Sequence, residues 1–306
     1  MYCGAVEFVC SPASVKHIPV LLDECMACLR PERGGVFADL TFGGGGHSRA
    51  MLEASSDSAL LAFDCDPDAQ VRSKELSTQF GDRFTFFDSS FRDLDKSCSA
   101  GELDGVLMDL GISSFQLMEP EKGFSFRLDA PIDMRLDPRV GQSAAEFLES
   151  ASYESLVRAV REYGEERRWR RVVDAIIKAR GTGLLSRTMS AAELVSDAVG
   201  GKNFRQRIHP ATKTFQGIRI AINGELEALA VALPKAFRSL KKGGVLAVIS
   251  FHSLEDRIVK HFFRSLKQMG DAEILTKKPV TAGPEELKDN PRARSAKLRV
   301  IEKQEI

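Results

Sequence analysis

Asp39-Leu40-Thr41-Phe42-Gly43-Gly44-Gly45-Gly46-His47-Ser48 is the stretch on which the reading of this chain turns. Val36 to Leu40 has the apolar run of a buried strand. Four glycines follow, and a helical pattern opens at His47. A strand that passes through glycines into a helix brings backbone against a nucleotide, with free N–H groups aimed at the ligand from the helix start. The spacing is not the dinucleotide fingerprint G-x-G-x-x-G. A start at Gly43 needs glycine where Ser48 stands, and a start at Gly44 needs it where Arg49 stands. Taken alone, the glycine run suits a flexible loop as well, so its weight comes from the residues around it.

A second apolar strand, Ala59 to Phe63, ends at Asp64. A carboxylate at that strand end, about 20 residues beyond the glycines, is placed to accept from ribose hydroxyls. It also suits a helix cap, although Asp66 fits that role better because it directly precedes Pro67. A third strand, Arg83 to Phe87, leads to Asp88-Ser89-Ser90-Phe91. Phe91 either stacks on a base or joins the core, and spacing alone favours the core. The fourth strand, Gly105 to Leu110, is nearly all apolar, as a strand covered on both faces is, and Asp109 closes it. In a doubly wound sheet the carboxyl ends of the central strands line the ligand crevice. Acids at three of them point to a functional edge rather than to loop caps.

Composition narrows the class. The 306 residues make one large or two medium domains, and 43% hydrophobic content supports a proper core. Lys plus Arg and Asp plus Glu both total 43, so the chain carries no global signal for a polyanion. The cysteines are Cys3, Cys10, Cys25, Cys28, Cys65 and Cys98. Cys25 and Cys28 form a C-x-x-C without the second pair a zinc site needs, so no metal is expected. Scattered thiols in a long chain suit a reducing compartment, and a cytoplasmic protein is expected. Met1 to Pro12 lacks a basic region followed by an apolar run, and no segment is apolar over the roughly 18 residues a membrane span needs.

Further along, residues 1–16 read as a flexible leader, and Leu21 to Leu29 as a helix. Gln116 to Gly141 is loop-like, with Pro120, Pro131 and Pro138. Ser143 to Arg180 is strongly helical, and Ser190 to Val199 reads as another helix, capped by Ser190 and Glu193. Phe215 to Ala236 makes one long helix. Lys241-Lys242-Gly243-Gly244 turns into the strand Val245 to Phe251, and a helix spans Leu254 to Gln268. Two last strands, Ala272 to Thr276 and Lys297 to Glu302, flank a Pro- and charge-rich loop from Pro279 to Ser295, which suggests an antiparallel hairpin at the sheet edge. The expected fold is therefore α/β: a class I (Rossmann-like) seven-stranded methyltransferase sheet with an inserted all-helical domain. The expected division is 17–118 with 213–306 for the sheet domain, and 119–212 for the insertion.

The neutral total hides local bias. Ala151 to Ile220 holds 14 Lys plus Arg against 7 Asp plus Glu, and Arg292, Arg294, Lys297 and Arg299 add a second basic region. Such stripes neutralise phosphates. They also suit a solvated helix face on which Glu162, Glu165 and Glu166 pair with the arginines. Two basic regions near the strand ends favour RNA or DNA. A stripe on the insertion serves a homodimer equally well.

Several stretches together resemble one family. They are His17-Ile-Pro-Val-Leu-Leu-Asp-Glu24, Thr41 to Ser48, Asp109-Leu-Gly-Ile-Ser-Ser-Phe-Gln116, Gly123-Phe-Ser-Phe126, Asp133-Met-Arg135, His209 to Gln216, Ser250 to Arg257 and Asn290 to Ser295. They are similar to the RsmH (MraW) family of bacterial methyltransferases, which methylate N4 of a cytosine in the decoding region of small-subunit ribosomal RNA, over roughly residues 17–302. The resemblance implies S-adenosyl-L-methionine as cofactor, held at Gly45, Gly46, His47, Asp64, Phe91, Asp109 and Gln116. It implies small-subunit ribosomal RNA, within the assembled subunit, as partner. Met118 stands where the family often has aspartate, and Ala130 where glycine is usual, both in the loop expected to face RNA. Arg168, Lys213, Arg219, Arg292 and Arg294 are the candidate RNA contacts.

Chemistry suggests the catalytic candidates. The cytosine amine is a poor nucleophile, and acceptors on its N–H groups would localise its lone pair. Asp109 is placed for part of this. Ser250, Phe251 and His252 end the fifth strand beside it: a backbone carbonyl there, or His252, accepts from the amine while Phe251 packs on the base. His252 serves equally as a helix cap against Glu255 or Asp256. Two rival readings are an NAD(P)-dependent oxidoreductase, opposed by the missing third glycine and the terminal hairpin, and a non-enzymatic RNA-binding factor, opposed by the intact glycine loop and strand-end acids.

Overall fold

The computed structural model describes residues 18–200 and 209–304. The expected leader, and Lys202, Arg205 and Arg207 of the basic stretch, lie outside them. Seven strands form one sheet: β1 (Gly35–Asp39), β2 (Ser58–Asp64), β3 (Phe84–Asp88), β4 (Leu103–Asp109), β5 (Leu240–Ser250), β6 (Ala272–Ile274) and β7 (Lys297–Lys303), in the order β3-β2-β1-β4-β5-β7-β6. The first five run parallel, and β7 lies antiparallel between β5 and β6. This is the sheet the strand and turn signals predict, including the terminal antiparallel hairpin. The order in which successive strands are added reverses between β1 and β4, which opens a crevice at their carboxyl ends.

Twelve α-helices lie among the described residues, besides short 3-10 and π turns: α1 (Leu22–Leu29), α2 (Gly46–Ala54), α3 (Pro67–Phe80), α4 (Ser114–Met118), α5 (Ala144–Ser150), α6 (Tyr153–Val157), α7 (Trp169–Ala179), α8 (Thr188–Ala198), α9 (Thr212–Asn223), α10 (Glu225–Ser239), α11 (Ser253–Met269) and α12 (Pro284–Asp289). Local chemistry sets their ends. Asp66 caps α3 by accepting from the Asp68 amide, with Pro67 in the first turn, as the sequence suggests. α11 buries Glu255, Val259, Phe263 and Leu266, one stripe at helical spacing, and stops at Gly270.

Two apolar layers sandwich the sheet. Phe63 is fully buried and stacks on Phe87 with ring centroids 4.7 Å apart. Such a pair adds about 0.5–1.5 kcal/mol beyond its buried area. A third core lies in the helical insertion between β4 and β5, built from residues such as Phe147, Leu156, Val172, Ile176 and Val195. It also takes in Phe215 and Ile218 of α9, which the sequence division assigns to the sheet domain.

Three expectations need correction. The long helix expected over Phe215 to Ala236 is two helices, because Gly224 sits at φ 56 and breaks it. The expected capping box at Ser190 and Glu193 does not start a helix: α8 begins two residues earlier, and the Ser190 hydroxyl donates to Leu184 and Arg187 carbonyls. The helical run after Ser143 is interrupted at Ala151 and Gly164, and Arg158–Tyr163 is wound as a π-helix packed on α9. Gly217 makes that packing possible, since a Cβ there would fall 2.0 Å from the Ala159 carbonyl oxygen.

Candidate active site

All four strands before the insertion end in aspartate: Asp39, Asp64, Asp88 and Asp109. Because the strands are parallel, these carboxyls share one edge of the sheet. Asp39 is 1% exposed and accepts from the Ser48 hydroxyl at 2.7 Å and the Thr41 amide at 3.1 Å. Asp64 accepts from the amides of Gly43 at 2.7 Å and Asp66 at 2.9 Å. Asp109 lies with Oδ2 3.9 Å from His47 Nδ1, while its buried Oδ1 has no hydrogen-bond partner among the described residues. Asp88 alone is neutralised, by a two-pronged contact from Arg139 at 2.6 and 2.7 Å.

Burial dominates the electrostatics of this rim. It raises the Asp39 carboxyl against the hydrogen bonds from Ser48 and Thr41. It pushes Asp64 up to about 6, although the Asp66 and Gly43 amides favour the carboxylate. It holds Asp109 well above the ordinary range, reinforced by the charges of Asp39 and Glu255. Burial also lowers His47 to about 4, so its ring is neutral, and Nε2 donates to the Val20 carbonyl at 3.0 Å. Nδ1 then turns its lone pair toward Asp109. Two acceptors face each other there, which suits a protonated Asp109 until a positive group arrives.

The absent side chains of the glycine loop serve the protein's own packing as well as access to the backbone. A Cβ on Gly44 would meet Phe115 at 2.4 Å, one on Gly45 would meet Phe42 at 2.7 Å, and one on Gly46 would meet Pro19 at 2.3 Å. The glycines thus let the protein's own rings and proline close on the loop. Its polar side remains open: α2 starts after Gly45 in the left-handed region at φ 74, and among the described residues nothing accepts from the amides of Gly46 and His47.

A cavity of about 620 Å³ lies over the strand tips, walled by Thr41, Phe91, Leu110, Gly111, Glu225 and Glu255 and closed on one side by Asp137, Arg139 and Val140 from the insertion. Of the expected cofactor residues Phe91 lines it; Gly45, Gly46, His47, Asp64 and Asp109 stand at the strand ends beside it. Gln116 is differently engaged. It is 5% exposed, its carbonyl accepts from the Ser113 amide, and its amide donates to Asp66 at 3.1 Å. It positions the turn before α4 and the cap of α3.

The expected catalytic group at the end of β5 is locked into local structure. Ser250 is 1% exposed and donates to the Lys297 carbonyl at 3.4 Å. Phe251 donates its amide to Glu255 at 2.8 Å. His252 caps α11: Nδ1 accepts from the Glu255 amide, and Nε2 lies 3.1 Å from Glu255 Oε1 without hydrogen-bond alignment. With Nδ1 accepting, a neutral ring carries its proton on Nε2 and offers no lone pair to a substrate amine. Burial and tautomer favour the capping role of the two the sequence leaves open.

The basic candidates divide. Arg219 is a correction: its side chain is 13% exposed and grips Glu225 through two bonds of 2.8 and 2.9 Å, so it braces a residue of the cavity wall instead of offering a free guanidinium to phosphate. Arg168 reaches the Val199 carbonyl, and Lys213 donates to the Glu165 carbonyl at 3.3 Å. Arg292 is half-buried, and burial together with nearby Arg127 lowers it; Arg294 is exposed. Sequence reasoning missed Asp39, Arg139, Glu225 and Glu255. Asp39 carried a signal, since it ends a strand like the acids that were recognised. The others become site residues only through long-range contacts.

The family-level model for MraW methylases matches residues 14–304. The chain belongs to the MraW methylase family. Among curated members, the ribosomal RNA small subunit methyltransferase H of Nitrosococcus oceani is 48% identical over 309 residues, covering 94% of this chain and 97% of that one. The enzyme of the same name from Trichlorobacter lovleyi is 44% identical, covering 94% and 98%. Among solved structures, an rRNA methylase from Streptococcus thermophilus aligns over 92% of this chain and 95% of its own, with a TM-score of 0.42 and 11% identity. S-adenosylmethionine is the cofactor of this methylase. The residues present fit it: a buried orphan oxygen on Asp109, free amides at the start of α2, and Asp64 with acceptor capacity to spare.

Proposed function

We propose that the chain transfers a methyl group from S-adenosylmethionine to N4 of a cytosine in the decoding region of small-subunit ribosomal RNA. The observation that carries this reading is the row of strand-tip aspartates. Asp39, Asp64 and Asp109 are raised by burial, and none is ion-paired with a lysine or arginine among the described residues, the more distant charge of Arg72 offsetting only part of the burial of Asp64. Buried acids left without cations are placed for a ligand that brings its own positive charge. The names of the curated relatives support ribosomal RNA as the acceptor.

The cofactor supplies a methyl group on a sulfonium, already activated for transfer. The protein's task is alignment and desolvation. Asp64 would accept from the ribose hydroxyls, the open amides of Gly46 and His47 would favour the carboxylate end, and Phe91 would pack on the adenine. Asp109 would answer the positive charge as a carboxylate, its own proton passing to solvent as the cofactor binds. As a carboxylate it then accepts from the amine N–H, which localises the nitrogen lone pair, and takes the proton released. His252 holds α11, and with it Glu255, in place. The target base leaves its stack to enter the cavity.

The four cysteines among the described residues are free, which supports a cytoplasmic setting. No helix there is long and apolar enough to cross a membrane. The test is to incubate the protein with unmethylated small subunits and labelled S-adenosylmethionine, digest the RNA, and identify the labelled nucleoside by mass. N4-methylcytidine at one position is the expected product. Label in another base, or on carbon of cytosine, overturns the proposal.

A further inference from the structure

An open groove of about 610 Å³ runs between the insertion and the sheet domain. Arg161, Arg167 and Trp169 line one side, and Leu226, Leu254 and Arg257 the other. Its floor is the back of the cavity wall. Glu225 faces the cavity and Leu226 the groove; Glu255 faces the cavity and Leu254 the groove. A strand that places one nucleotide in the cavity therefore has the groove as its nearest continuation.

We propose that this groove seats the unpaired nucleotide adjacent to the target base, with its base stacked on Trp169 and its phosphates met by Arg161 and Arg167. The inference rests on the RNA reading above. Trp169 is half-buried, and the guanidiniums of Arg170 and Arg161 lie 4.4 and 5.3 Å from its ring. An exposed cation–π contact is worth less than stacking a base on an aromatic ring, so an incoming base displaces the more distant Arg161 and frees it for phosphate. The lining carries three arginines and three glutamates, so what selects the occupant is which of them are already engaged. The groove also holds Glu162, Glu165 and Glu166, but Glu165 bonds Ser253 at 2.7 Å and lies 3.9 Å from Arg257, and Glu166 accepts from the Arg168 amide at 2.7 Å. Arg161 and Arg167 have no carboxylate partner among the described residues. A nucleotide finds here an aromatic ring beside guanidiniums that no carboxylate holds.

Trp169 is the chain's single tryptophan, so its fluorescence reports the groove alone. Titration with a short single-stranded RNA containing cytosine should quench it, and filter binding on the same samples shows when the RNA is bound. Trp169→Ala should raise KM for unmethylated small subunits by about 5- to 100-fold while kcat and cofactor affinity hold, and Trp169→Phe should recover most of the loss. Arg161→Gln should flatten the salt dependence of RNA affinity by about 0.7 in log slope. Bound RNA with unquenched fluorescence, or an unchanged KM in Trp169→Ala, overturns the groove assignment. Absence of methyl transfer to small subunits by the unaltered protein would instead overturn the functional reading, because the quenching is measured independently of it.

Discussion

Two groups of acids, one at the strand tips beside the cavity and one in its wall, are treated in opposite ways. On the rim, among the described residues, Asp109 has an oxygen with no partner, and Asp39 and Asp64 accept only from hydroxyl and amide donors. On the wall, Glu225 is held by both arms of Arg219, and Glu255 receives the Phe251 amide and lies against His252. Burial raises the rim acids; it pushes Glu255 up as well, but His252, Arg219 and the Phe251 amide together overcome it and hold that carboxyl below its ordinary value. The difference separates binding from scaffolding. A saturated buried acid holds the fold, and an unsaturated one waits for a cation from outside.

The largest effect should come from breaking the wall. Arg219→Leu leaves Glu225 buried and unpaired, and should cost about 3–5 kcal/mol in denaturant unfolding, with Arg219→Leu/Glu225→Leu recovering most of it. If Arg219 instead met RNA, stability would hold and only RNA binding would suffer. On the rim the signs reverse. Asp109→Asn should leave unfolding unchanged or slightly improved, yet weaken S-adenosylmethionine by about 1.5–3 kcal/mol in calorimetry, the worth of a charge-assisted hydrogen bond. Equal affinity in the variant removes Asp109 from the site.

Asp64 sharpens the comparison through pH. Its carboxyl is raised to about 6 in the fold, so its burial favours the protonated form. Its contribution to stability is full below the ordinary carboxylate range and is lost as pH rises through about 6. Cofactor affinity should run the other way and fall as pH drops through the same window, since the ribose hydroxyls need an acceptor. Asp64→Asn should flatten that dependence in a titration series. The smallest effect is expected at His252. His252→Asn keeps a cap and should retain activity, while His252→Ala should lose about 1 kcal/mol of stability, read by thermal melting. Abolished methyl transfer in a stably folded His252→Asn would restore the histidine as proton acceptor.

The rim was legible in the sequence because strand, glycine loop and terminal acid are consecutive residues. Apolar runs closed by Asp64 and Asp109 fix both the strands and where their carboxyls emerge, and Pro67 after Asp66 marks the cap of α3. The wall was illegible for the opposite reason. Arg219 and Glu225 lie on either side of Gly224, in what periodicity reads as one continuous helix. Their pairing exists only because that glycine takes a left-handed turn. Arg139 reaches Asp88 across 51 residues, and no local pattern announces it. The helix start at Thr188 likewise follows from a tertiary contact, the Thr188 hydroxyl donating to the Leu128 carbonyl, which outweighs the capping signal at Ser190.

The most direct test is a crystal structure with S-adenosylmethionine bound. The account predicts the ligand across the tips of β1, β2 and β4, with the Asp64 carboxylate on the ribose hydroxyls and Asp109 Oδ1 no longer without a partner. Ligand bound away from those tips, or Asp109 Oδ1 still unpaired beneath it, would contradict it.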